Sequence, residues 1–127
     1  MYKEIIIILV VIAMVIGVDV ISNNYTKSSF DIITSKLNVL KEYILKEDKD
    51  KTTLKMQEIK EEWEKRYKLL AFYIEHDELE KVETEMVKME ADIEVEEFKH
   101  CISEVETTIF ILEHIQEKEK FQLESIF

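Results

Sequence analysis

Glu97-Phe98-Lys99-His100 sets a carboxylate and an imidazole three positions apart, on one helical face, as in the E-x-x-H half-sites of di-iron bundles. Such a centre needs a second E-x-x-H and two further inward glutamates, and the chain holds no second copy. The stripe through Phe98 and Ile102 also leaves Glu97 and His100 towards solvent, so no metal is expected there. His100 beside Cys101 is no nucleophile and base pair, because consecutive helix positions diverge. Asp48-x-Asp50-x-Thr52 resembles the start of a calcium loop, but Thr53 stands where the loop needs glycine and Ile59 where it needs glutamate. His76, Asp77 and His114 are better placed, because they fall at the ends of helices two and four. Their expected role is to hydrogen-bond the turn and receive the C-terminal tail, with a weak metal or proton-sensing site as the alternative. Trp63, in the most aromatic segment, reads as core, with a ligand groove as its alternative. Trp63, His76, Asp77 and His114 together form the tentative ligand or partner cluster. No catalytic residue, metal or cofactor is assigned, and no Gly-rich phosphate loop or Ser/His/Asp spacing is present, so no enzyme activity is expected.

The elements that position these residues begin with Ile5 to Ile21, a nearly unbroken apolar run of 17 residues behind Lys3. As a helix it spans roughly 25 Å at about 1.5 Å per residue, enough to cross a hydrocarbon core if Asp19 reaches the head groups. Tyr2 and Tyr25 bracket it, as interfacial aromatics do. Val18 to Asn24 offer no small-residue cleavage site, so the run is read as an uncleaved single-pass anchor over residues 1–24, with a cleaved secretory signal or a buried core helix as the alternatives. Lys3 and the terminal amine favour a cytoplasmic N-terminus, which places the remainder outside the cytoplasm.

Residues 25–127 suffice for one small domain. There is no proline, and the single glycine, Gly17, lies in the apolar run. Sheets and long loops want both for turns, so helices joined by tight polar connections are expected. Cys101 is the only cysteine, which excludes an internal disulfide and the usual zinc spacings and is read as buried. The formal charge of −11 is uneven: residues 76–127 alone carry five basic against sixteen acidic side chains. That excess repels nucleic acid and anionic head groups and suits a solvated surface or a basic partner.

Phe30, Ile33, Leu37, Leu40 and Ile44 repeat at spacings of 3 and 4, the stripe of a bundle helix from about Tyr25 to Lys46. A turn over Lys46 to Lys51 follows, with Asp50 able to cap the second helix. That helix carries Met56, Ile59, Trp63, Tyr67, Leu70 and Ile74, supported by the pairs Glu61–Lys65, Glu62–Arg66 and Glu64–Lys68. A third starts at Asp77 as cap, with Leu79, Val82, Met86, Met89 and Ile93 inward. After a junction at Glu94 to Glu96, a fourth presents Phe98, Ile102, Val105, Ile109 and Leu112. It is expected to end near Ile115, with a charged turn over Gln116 to Lys120 and a tail, Phe121, Leu123, Ile126 and Phe127, folded back on the core.

The expected fold is therefore all-α, a transmembrane helix followed by an antiparallel up-and-down four-helix bundle with a short packed tail, with a parallel coiled coil on the short Phe30 to Ile44 heptads as the competing architecture. In that topology the ends of helices two and four meet beside the membrane. Glu61-Glu62-Trp63-Glu64-Lys65, Ile74-Glu75-His76-Asp77-Glu78, Leu112-Glu113-His114-Ile115 and the closing Leu123-Glu124-Ser125-Ile126-Phe127, after the apolar N-terminus, resemble a bacterial family of short membrane-anchored helical proteins, domain of unknown function 4363. The resemblance spans nearly the whole chain and implies a membrane-anchored bundle, with no activity or catalytic residue to carry over. The expected partners are the bilayer, through residues 5–21, and another membrane or envelope protein, with a homo-oligomer left open and nucleic acid excluded.

Overall fold

Nothing between Tyr2 and Leu45 forces a helix to stop, because proline is absent and Ser22, Asn23 and Asn24 are only weak helix formers. In the computed structural model, which describes residues 1–126 with the side chain of Ile126 left aside, that stretch is one unbroken helix of 44 residues, α1 (Tyr2–Leu45). Its two halves meet different surroundings. From Tyr2 to Val15 every side chain is exposed, whereas Thr26, Ser29, Phe30, Ile33, Leu37, Leu40 and Ile44 are buried. The N-terminal half is long and apolar enough to cross a membrane.

Three further helices complete the fold, α2 (Lys49–Leu70), α3 (His76–Glu94) and α4 (Phe98–Ile126), and no strand occurs among the described residues. Helices adjacent in sequence pack side by side and α4 closes the ring onto α1, while the diagonal pairs stay apart. The bundle is thus up-and-down, as the short connections require. The contact between α2 and α3 is the thinnest of the four.

The stripes expected for the first three helices are the buried ones, with Tyr67 only partly covered. The fourth is rotated from expectation. Its most buried positions are Cys101, Val105, Thr108, Leu112 and Ile115, and Phe98, Ile102 and Ile109 lie at the flank. Cysteine and threonine are small enough for the line of closest approach, and their polar atoms are served locally. Thr108 Oγ1 donates to Glu104 O at 2.7 Å, and Cys101 Sγ lies 3.9 Å from Met89 O.

The caps also differ from expectation. Asp48, not Asp50, caps α2, accepting from Lys51 N at 3.1 Å. Asp77 does not cap α3; the N-cap is Glu75 without a side-chain bond, and Asp77 and Glu78 lie in the first turn, where carboxylates favour the helix dipole. Of the three expected i,i+4 pairs, only Glu62–Arg66 closes among the described residues, at 2.7 Å. Glu61 accepts from Gln57 instead.

The expected turn over Gln116 to Lys120 does not form. These residues are helix formers with neither glycine nor proline, and α4 runs through them to Ile126. Instead of folding back, the C-terminal segment continues down α1, where Leu123 is half-buried and Phe121 exposed. Phe127 and the Ile126 side chain lie outside the described residues.

Both distal turns end in the same way. Glu47 and Glu96 take φ of 54° and 58°, and each turn carries a Schellman pair of bonds. Asp48 N donates to Tyr43 O at 3.2 Å and Glu47 N to Ile44 O at 2.9 Å; Glu97 N donates to Asp92 O at 2.8 Å and Glu96 N to Ile93 O at 3.1 Å. Glutamate is a poor choice there, since a Cβ is strained in the left-handed region and a carboxylate opposes a helix C-terminus. Glu47→Gly and Glu96→Gly are each expected to raise unfolding free energy by about 0.5–1 kcal/mol. Urea unfolding of the full chain in detergent, followed by Trp63 emission, checks this; a loss in both variants would contradict it.

Candidate functional site

Trp63 is packed into the core between α1 and α2, with its ring 6.5 Å from that of Phe30 and 6.2 Å from that of Tyr67. Its indole Nε1 donates to Glu83 Oε1 at 3.2 Å, so its one polar atom ties α2 to α3. This is a core tryptophan with a satisfied donor.

The structure does not join the rest of the tentative cluster to it. The His76 side chain is exposed; Nδ1 lies 3.5 Å from Tyr67 Oη and Nε2 3.9 Å from Glu80 Oε2. His114 is exposed on α4, its ring stacked on Phe110 at 6.5 Å. Asp77 is exposed at the start of α3. The residue that α4 brings to this end of α3 is Lys118, one turn beyond His114, with Nζ 3.5 Å from Glu75 and 3.7 Å from Glu78. Among the described residues no group of three or more His, Cys, Asp or Glu side chains is arranged to hold a metal ion. Glu97 and His100 are exposed, and burial pushes the Cys101 thiol up to about 12, which leaves it an unreactive core residue.

The arrangement that sequence reasoning missed lies along the seam of α3 and α4. Glu78, Glu85 and Asp92 stand seven apart on α3, and Glu104, Ile111 and Lys118 seven apart on α4. The antiparallel helices set these rows against each other, so that Glu78 meets Lys118 at one end and Asp92 meets Glu104 at the other. The seven-residue spacing is visible in the sequence, but the partner row is not. At the proximal end a lysine answers the carboxylate. At the distal end two carboxylates meet, and Glu104 Oε2 is shut from water with no donor. Burial first, then the bond to Asp92 and its charge, raise the Glu104 carboxyl from 4.5 to about 7. A proton held there gives Glu104 a hydrogen to offer Asp92, which removes both the repulsion and the orphaned atom.

A shallow apolar groove occupies the thin α2–α3 contact at the same distal end. Its volume is about 280 Å³, and Met56 and Ile93 form its floor with Lys49 and Glu90 at the rim. Lys49 Nζ reaches across to Glu94 O at 3.2 Å. Neither the groove nor the seam carries a nucleophile paired with a base among the described residues.

Folded Glu104 holds its proton up to about pH 7, whereas the unfolded chain releases it near 4.5, so folded protein binds more protons across that window. Stability should therefore fall as pH rises through it. Glu58 and Glu62 are lowered below 4.5 by their Lys55 and Arg66 partners, and their losses fall beneath the window. Glu104→Gln should stabilise the protein at neutral pH by about 1 kcal/mol, with allowance for the partial exposure of the site, and flatten the slope. Urea midpoints of both proteins across this range test it, and parallel pH profiles would contradict it.

No curated protein and no solved structure matches the chain. Residues 20–126, which hold the bundle, the α3–α4 seam and the α2–α3 groove but little of the apolar run, match the family model described as Domain of unknown function (DUF4363), and the chain belongs to that family.

Proposed function

We propose that this chain is a membrane-anchored, non-enzymatic interaction module, in which one uncleaved span over residues 5–21 holds the acidic bundle at a bilayer so that it docks another membrane or envelope protein. The observation that carries this reading is the continuity of α1: one helix is exposed and apolar in its first half and is a core helix of the bundle in its second. An apolar surface of that length exposed all round suits lipid. Asp19, Ser22 and Asn23 are partly covered by the end of α4, and Thr26 and Tyr73 bond to Ser22 O at 3.0 and 3.1 Å. A peptidase needs its site extended, so this packing favours retention of the anchor.

The N-terminal side of the span is read as cytoplasmic and the bundle as extracytoplasmic, on the charge of Lys3. The docking face is the distal end, where the α2–α3 groove pairs an apolar floor with charged rims and the surrounding α3 and α4 surfaces are acidic. A partner with an apolar side chain flanked by basic residues fits that surface. His76 and His114 have separate partners, which favours docking over the metal- or proton-sensing alternative at the histidines.

The full chain should remain in the membrane pellet through alkaline carbonate washing. Ile12→Arg should add about 2.5–3.5 kcal/mol to the insertion cost of the helix centre and shift much of the protein out of that pellet. Recovery of the wild-type chain in the soluble fraction, without its first two dozen residues, would refute the proposal.

A further inference from the structure

The bundle's membrane-proximal end is built unlike its distal end. The distal end is closed by two three-residue turns. The proximal end consists of α1 as it enters the apolar run, the five-residue α2–α3 connection, and the last turns of α4. Three observations place these parts at one height. Tyr73 Oη donates to Ser22 O and lies 2.8 Å from Thr26 Oγ1, so the α2–α3 connection sits level with Ser22 and Thr26. A shallow cleft lined by Asp19, Ser22, Glu119 and Gln122 brings the end of α4 to the same level. Lys118 links that end to Glu75, closing the ring.

Two large aromatics at this height are left uncovered by the described residues: Phe72 in the connection, 85% exposed, and Phe121 on α4, 71% exposed. If the hydrocarbon ends near Ile21, Tyr25 stands four residues further on, about 6 Å at 1.5 Å per residue. A head-group layer of roughly 5–8 Å on each side of the hydrocarbon covers that distance. Aromatic rings collect in this layer, where an apolar body and a polar neighbourhood are both served. Phe72 in water is otherwise an unexplained loss, since its neighbours Tyr73 and Ile74 are turned into the bundle.

We propose that the proximal end of the bundle rests directly on the bilayer, with Phe72 and Phe121 set into the head-group layer on either side of the anchor and Tyr25 and Tyr73 level with them. The bilayer is the occupant because α1 continues from this surface into the apolar run without a break or a spacer. The lipid assigned is zwitterionic, since this end carries carboxylates, Asp19, Glu75 and Glu119, beside lysines, Lys27, Lys118 and Lys120, and so presents both signs of charge to the head groups. Burial, opposed by Lys118 and assisted by Asp19, already raises the Glu119 carboxyl, as expected for a group facing away from bulk water. The consequence is orientation: a bundle seated at three points presents its α2–α3 groove at a fixed height and angle, whereas one hung from a single helix could tilt. This inference rests on the anchoring reading above.

The test places an environment-sensitive thiol label at one position at a time in the full chain, reconstituted in phosphatidylcholine vesicles carrying a nitroxide-labelled phosphatidylcholine, with the nitroxide at the head group for positions 45, 72 and 121 and near the acyl-chain end for position 12. Cys101 is buried and unreactive, so it need not be replaced. Phe72→Cys and Phe121→Cys are exposed substitutions that leave the core untouched. Leu45→Cys marks the distal end and Ile12→Cys the anchor, both also at exposed positions. Labels at 72 and 121 should be quenched several-fold more than the label at 45, with blue-shifted emission. If they behave like the label at 45 while the label at 12 is quenched, the anchor stands and the seating is wrong. Self-quenching between labels at 72 that disappears on dilution with unlabelled protein, without lipid quenching, would make a second copy the occupant and also overturn the proposal. Absence of quenching at 12 would remove the anchoring reading itself, and the seating with it.

Discussion

An uninterrupted ladder of backbone hydrogen bonds from Tyr2 to Leu45 is the constraint on which the rest of this molecule depends. A helix satisfies its own backbone polar groups, so it is the one element that can pass from an apolar medium into a packed core without changing form. The change between these settings is written in side chains alone. An all-round apolar surface gives way, over Asp19 to Tyr25, to a stripe repeating at spacings of 3 and 4. Because both α2 and α4 pack on that stripe, the direction of α1 fixes the axis of the whole bundle.

The layer where the surface changes is held by polar groups. Thr26, Ser29, Tyr73 and Arg66 lie in one band: Tyr73 meets Thr26 and Ser22, and Arg66 Nη1 donates to Ser29 Oγ at 3.1 Å while its Nε holds Glu62 at 2.7 Å. Small hydroxyls on α1 let α2 and the connection after it approach closely, and the tyrosine and arginine supply the bonds that burial would otherwise leave unmade. Burial raises the Tyr73 phenol above its usual value, so this band stays neutral apart from the Arg66 pair. Polar bonds of fixed geometry also set the vertical register of α2 against α1, which an apolar stripe fixes only loosely.

Most of the fold was legible because the first three helices carry one strong period each and nothing competes with it. The fourth was read with its face rotated, since Phe98, Ile102 and Ile109 outweigh Cys101 and Thr108 in bulk, whereas closest approach selects for small size. The C-terminal turn was expected because the apolar period ends at Ile115. In fact Lys118 and Glu119 continue the helix through contacts with α3 and α1 that only the assembled bundle provides. Cap positions slipped by a residue or two because several acidic residues in a row could each have served, and backbone geometry chose among them. The site was less legible than the fold. The histidines were placed at the correct end of the bundle, but their side chains point to separate partners, and side-chain direction depends on helix rotation, which period alone does not fix. The Asp92–Glu104 pair needs the register between two helices, a quantity absent from either one.

The two ends of the bundle differ in a way that bears on which of them recognises something. Distal turns of three residues, each with a left-handed glutamate and a Schellman pair, leave the chain no freedom to rearrange there. The α2–α3 contact is nevertheless thin beside them, and the Asp92–Glu104 pair at the α3–α4 seam is strained by like charge at neutral pH. Rigid turns with underfilled or repelling seams between them describe a surface whose backbone is prepared and whose side chains still have something to gain. The docking proposed for this end would carry a small ordering cost, because the turns have already fixed what a partner would otherwise have to fix. A basic group near Glu104 would also lower its carboxyl back towards the ordinary range and release the proton, coupling recognition to pH without any movement of the fold. The proximal end has a different character: Tyr73 and Thr26 are bonded there and Lys118 is paired twice, although Glu78 Oε2 is buried without a partner, and the large side chains that the bundle leaves uncovered are aromatic.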